Sequence, residues 1–158
     1  SPRLKEMIQR WNVFYHIPWA PNRNDVIFVG LYFEDNVYGP LYFDYIKNLG
    51  PDDPIMQTRN QFDKWFAENS PETVLVHVKC SPEQIRHRKK ANPHEEELLK
   101  DEDVEYVLDR FQEEVDKSII KNKIVLDTTN ISLEQSLEEF KIKVDPFLTE
   151  HDISRMKN

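Results

Sequence analysis

Residues 73–88 read TVLVHVKCSPEQIRHR. The first eight are an apolar, strand-like run of the kind that lies inside a sheet. Ser81-Pro82-Glu83-Gln84 then fits a helix start, with Ser81 as cap, Pro82 at the first helical position and Gln84 completing a capping box. The helix so opened carries Arg86, Arg88, Lys89 and Lys90. A strand that turns directly into a basic helix belongs to an α/β protein that handles a charged ligand.

The same grammar recurs downstream. KIVLDTTN (123–130) reads as a strand with a polar end from Asp127 to Asn130, and Ser132-Leu133-Glu134-Gln135 repeats the capping-box pattern. Leu137, Phe140, Ile142 and Val144 continue that last helix, while the tail from 145 is weakly patterned. Between the two strands, Val104, Val107, Leu108, Phe111 and Val115 predict an amphipathic helix. ANPHEEELLKDED before it has no apolar period and reads as an exposed, mobile excursion, about 89–103 in all.

Upstream, Ser1-Pro2 and the spacing of Leu4, Met7, Ile8 and Trp11 predict a helix, and residues 13–17 a short strand. VIFVGLYF (26–33) reads as a strand covered on both faces, which would put Glu34 and Asp35 at its carboxyl end. Residues 36–54 are broken by Gly39-Pro40 and Gly50-Pro51 and predict a mixture of loop and short helix. A helix is expected over 53–68, with Ile55, Phe62, Trp65 and Phe66 as its stripe and Arg59 beside it. Four strands alternating with helices make one α/β domain over 1–158, with a mostly parallel sheet and helices on both faces. Ligands of such sheets bind beyond the carboxyl ends of the strands. That rule selects His16 to Arg23, Glu34-Asp35, Cys80 to Arg88 and Asp127 to Asn130.

Composition bounds the function. The chain has 158 residues, 39% hydrophobic and 32% charged, a globular profile. A net charge of −8 argues against a general nucleic-acid binder. No apolar run approaches the roughly 20 residues that cross a bilayer, and the polar opening SPRLKEMIQR is no signal peptide. One cysteine, Cys80, and five scattered histidines suit a reducing compartment and no zinc cage. A soluble cytoplasmic protein without membrane partners is expected.

In their order, these segments resemble the P-loop kinases that phosphorylate nucleosides, nucleotides and similar small molecules. VLVHVKCSPEQIRHR is similar to that family's strand, small-Pro turn and arginine-bearing helix leading into a lid. KDEDVEYVLDRFQEEVDKSI resembles its post-lid helix, and KIVLDTTNISLEQSLEEFKIKV its closing strand, base loop and last helix. DVIFVGLYFED is similar to its central strand. The likeness spans roughly residues 13–145. It implies a three-layer fold, ATP and Mg²⁺ as cofactors, and phosphoryl transfer to a small-molecule acceptor. One departure dominates: Gly30, Gly39 and Gly50 stand far apart and none precedes lysine, so G-x-x-x-x-G-K-[ST] is missing. The expectation is a first strand and phosphate loop upstream of Ser1, in a longer chain, with the 158 residues alone inactive.

Carried onto this sequence, the resemblance makes Arg86, Arg88 and Arg110 lid and phosphate groups, although 86 and 88 do not share a helical face. It makes Glu34 an assistant to Mg²⁺ or the acceptor hydroxyl, and Thr128, Thr129 and Asn130 contacts of the nucleotide base. The acceptor would meet His16, Trp19, Arg23 and Arg59. Each has a plainer reading. The basic helix is a solvated face, Glu34-Asp35 begins a loop, Thr128 to Asn130 are turn chemistry, and Arg59 pairs with Asp63. Asp127 orients the missing phosphate loop, and Cys80 is a small buried residue. Two other functions compete: a non-catalytic kinase-like binding or regulatory domain, and an unrelated α/β protein whose basic helix meets an acidic partner. An open sheet edge left by a missing strand could also be covered by another chain, including a second copy in a homo-oligomer.

Overall fold

A computed structural model describes residues 4, 27–43, 54–93 and 97–156. They fall in two compact units, 1–60 and 61–158.

The first unit corrects one reading. The run VIFVGLYF does not form a strand. Ile27 and Val29 are 90% and 85% exposed, and helix α1 (Leu31–Tyr42) begins inside the run. The break is made by two successive residues with positive φ, Gly30 at 73° and Leu31 at 48°, which no extended run accommodates. Glycine adopts the first of them without strain. The Glu34 side chain folds back over it, 1.9 Å from where an added Cβ would sit, a contact that its flexible end could leave. The helix then runs through Gly39-Pro40 to Tyr42. Pro40 cannot donate to the carbonyl four residues back and its ring crowds that carbonyl, yet the helix continues over 36–42, where a mixture of loop and short helix was expected; residues 44–53 lie outside the described residues. Tyr32, Val37 and Gly39 are its buried residues.

Helix α2 (Pro54–Asn69) matches the predicted span to within a residue, and Phe62 and Phe66 of its stripe are each 6% exposed. In the second unit the chain proceeds through β1 (Val74–Lys79), α3 (Pro82–Ala91) and a 3₁₀ turn (Asp101–Asp103). It continues through α4 (Val104–Lys117), β2 (Asn122–Asp127), α5 (Leu133–Val144), a second 3₁₀ turn (Asp145–Phe147) and α6 (Glu150–Met156). The fold is mixed α/β. Its sheet among the described residues is two parallel strands, paired from Val74–Asn122 to Lys79–Asp127. The predicted strand over 13–17 lies outside the described residues.

Strand alternation divides the sheet. Leu75, His77 and Lys79 share one face with Lys123, Val125 and Asp127. Helix α4 covers that face: Lys79 Nζ donates to Gln112 Oε1 at 2.9 Å, and Lys123 Nζ to Val115 O at 2.7 Å. Ile124 and Leu126, on the opposite face, are buried, and so are Val104, Val107 and Val115 of α4. The expectation that β1 is buried throughout is corrected. Only His77 of its six residues is buried, and Val78 is 60% exposed. Two strands do not enclose a run that would be central in a wider sheet.

Both predicted caps form. Ser132 makes the full reciprocal box with Gln135. At Ser81 only the forward half is made by Gln84, since Ser81 N–H donates instead to Thr129 Oγ1 at 2.9 Å. Replacing Ser132 with alanine should therefore lower stability by about 1 kcal/mol, and with glycine by a few tenths. Urea unfolding of the two variants checks this; no loss in the alanine variant would mean the cap contributes nothing.

Candidate functional site

The carboxyl ends of β1 and β2 are stitched into one rim. Thr128 N–H and Thr128 Oγ1 both donate to Lys79 O, at 2.8 and 2.9 Å. Thr129 Oγ1 receives Ser81 N–H, and Thr129 N–H donates to Asp127 Oδ1 at 2.9 Å. Those bonds from Thr129 hold the Asp127 carboxyl below its ordinary range. Arg88 closes the rim, with Nη1 donating to Thr128 Oγ1 at 3.0 Å and Nη2 to Thr128 O at 2.5 Å. Cys80 sits half-buried between Lys79 and Ser81, and Asn130 is exposed just beyond.

Arg86 faces another way, as two positions of separation on a helix require. It donates to Asp101 O and to Glu105 Oε2, the latter at 2.5 Å. Lys89 donates to Leu99 O at 2.5 Å and to Asp101 Oδ1 at 2.6 Å. The hydrogen bond that Arg86 gives to Glu105 raises its pKa, and the one from Lys89 lowers that of Asp101. The two cations therefore tie α3 to the turn that opens α4, across the polar excursion. Arg110 is also engaged: it pairs with Glu113 and, at 3.0 Å, with Glu114, whose side chain is fully buried.

Of the other candidates, Glu34 stands in the first turn of α1 and not at a strand end. Partial burial raises its pKa, and Asp35 beside it pushes the same way. Arg59 lies on α2 with its side chain not described, and His16, Trp19 and Arg23 lie outside the described residues. Asp63 is buried and accepts from Ser118 Oγ and Ile119 N–H, at 2.9 and 2.8 Å.

The rim thus brings together Arg88, Thr128 and Thr129, with Asn130 beside them, while Arg86 and Arg110 face carboxylates elsewhere. No protein-family model, curated protein or solved structure matches the chain.

Sequence reasoning overlooked Ser81 N–H and Lys79 as groups that hold the rim. The signal for Lys79 was available, because alternation along β1 sets it on the same face as His77, facing the amphipathic helix. Nothing local marks Thr129 as the partner of a backbone group 48 residues away. As to metal, no group of three or more His, Cys, Asp or Glu side chains converges among the described residues. No helix among them is long and apolar enough to cross a membrane.

Proposed function

We propose that the chain is the nucleotide-facing part of a P-loop-type kinase, which transfers phosphate from ATP to a small acceptor such as a nucleoside or nucleotide. The observation that supports this is the rim: two parallel strands whose carboxyl ends carry Thr128, Thr129 and Arg88. Hydroxyls, carbonyls and one guanidinium at that position suit a base and its phosphates, by the rule for open α/β sheets. A three-layer arrangement with helices on both faces of a wider sheet belongs to the same proposal. Among the described residues no three metal-ligating side chains converge, so any Mg²⁺ would be held mainly by the phosphates with one or two carboxylates, and the sequence holds no phosphate cradle. The cradle would come from a longer chain, and the 158 residues alone would bind nucleotide weakly and transfer nothing.

The rim residues would orient the base and hold the bridge to β1. Arg88, the one candidate arginine at the rim, would exchange its bonds to Thr128 for phosphate oxygens. A second reading has its own observation. Arg86 and Arg110 are committed to Glu105, Glu113 and Glu114, which favours a kinase-like domain that binds without catalysing.

Calorimetric titration of ATP-Mg²⁺ into the chain extended upstream separates these readings, together with a phosphoryl-transfer assay on a panel of nucleosides. The kinase reading expects binding, transfer, and at least tenfold weaker binding for Arg88→Ala. Binding without transfer supports the second reading. No binding by the extended chain, or transfer by the 158 residues alone, overturns the proposal.

A further inference from the structure

His77 is the buried residue of β1, 9% exposed, and its Nδ1 has no hydrogen-bond partner among the described residues. It stands on the sheet face that α4 covers, opposite Val125 and two residues from Lys79. The charged groups on that face are already engaged. Lys79 shares its strand, Lys123 and Asp127 lie across the register on β2, and Asp116 approaches from α4. Lys79 Nζ donates to Gln112 Oε1, Asp127 Oδ1 accepts from Thr129 N–H, Asp116 Oδ1 accepts from Gln112 Nε2 at 2.8 Å, and the Lys123 ammonium donates to Val115 O and Ser118 O. An imidazolium there would be a third cation beside two carboxylates that already accept other bonds.

We propose that His77 makes the joint between α4 and the sheet acid-sensitive: the joint is closed when the imidazole is neutral and loosens when it is protonated. The direction follows from what faces the ring. Burial and, next, Lys79 push its pKa below the ordinary histidine value, while Asp116 pulls weakly the other way. A folded state that resists protonation binds fewer protons than the unfolded chain. Stability is therefore unaffected above the unfolded value of about 6.5. It falls as pH drops below that value, and it levels off once pH has passed the depressed folded value. Loosening this joint reaches further than the ring. Lys79 O anchors Thr128, and Lys79 Nζ is held by α4 through Gln112, so the rim and the joint share a residue. A protein so built would lose its rim in a mildly acid compartment and regain it at neutrality, independently of whether the rim serves a kinase.

Amide hydrogen exchange along α4 reads the joint directly, on the full chain between pH 7.5 and 5, corrected for the intrinsic dependence of exchange on pH. The opening equilibrium should rise about tenfold per pH unit over the window between the two histidine pKa values. His77→Gln removes the titration and should flatten that rise, leaving only the shallower slope of the surface carboxylates. NMR titration of the His77 ring protons supplies the second readout and needs no variant. Its shift should stay at the neutral position until α4 exchange accelerates. A ring that titrates with an ordinary midpoint while α4 remains protected overturns the proposal. So does a His77→Gln protein with the parent's pH slope. Should His77→Gln fail to fold, the NMR titration of the parent decides alone.

Discussion

Arg110→Ala is expected to destabilise the second unit by about 3 kcal/mol, the lower end of what breaking a buried ion pair costs. Glu114 is 0% exposed, and Arg110 Nη2 reaches its Oε1 at 3.0 Å. Truncating the arginine leaves an ionised carboxylate inside the unit, where desolvation is no longer offset. Lys117 Nζ, at 3.9 Å from the same oxygen and about half exposed, takes up part of the loss, which is why the lower end applies. In thermal unfolding this corresponds to a Tm lower by some 12–20 °C for a unit of this size. Removing both partners should behave differently. Arg110→Met with Glu114→Met leaves no charge to bury and is expected within about 1 kcal/mol of the parent. A single variant as stable as the parent would mean that the pair carries no stability. An Arg110→Ala protein of unchanged stability but lost phosphoryl transfer would return Arg110 to the lid role that its sequence context suggested.

The second large effect is placed at Asp63. Its carboxylate, 7% exposed, accepts from Ser118 Oγ at 2.9 Å and Ile119 N–H at 2.8 Å, where the chain leaves α4 for β2. On the same corner, Lys123 Nζ donates to the helix's spare carbonyls, Val115 O and Ser118 O, at 2.7 and 2.6 Å. Donors and acceptors that a helix end leaves over are thus met by one carboxylate and one ammonium. Asp63→Ala removes two charge-assisted bonds and strands a buried hydroxyl, for an expected loss of about 3 kcal/mol. Asp63→Asn retains an acceptor of similar shape and should lose about half of that. Chemical denaturation of both variants, with an unchanged dependence on denaturant, tests the ranking. Equal losses would mean that the charge and the second acceptor oxygen, and not the shape that Asn retains, hold the corner.

How much could be read in advance differs along the chain for physical reasons. The second unit was legible because its signals are local and redundant. Ser81 and Ser132 cap helices whose strands precede them directly, and α4 shows a full apolar period. VIFVGLYF misled because an apolar run of that length suits a strand or a helix equally, and its periodicity does not arbitrate. Gly30 was the only cue to the break, since a positive φ leaves no pattern in the flanking residues. At the candidate site, the helical spacing of Arg86 and Arg88 correctly separated their directions. It did not say which partner each would meet, because Glu105 and Thr128 lie 19 and 40 residues away. Side chains meet such distant partners only once the sheet has closed.

That closure has a consequence during synthesis. The strands pair across a separation of 48 residues, as at Ser81 and Thr129, with α3 and α4 in between. On a ribosome adding about 5–20 residues per second, β1 waits some 2–10 s before its neighbour has even been made. Val78 stands ready throughout that interval for any other extended segment. The helices that follow β1 are thus its first shelter, and a pause in translation between the two strands would be the moment of greatest exposure.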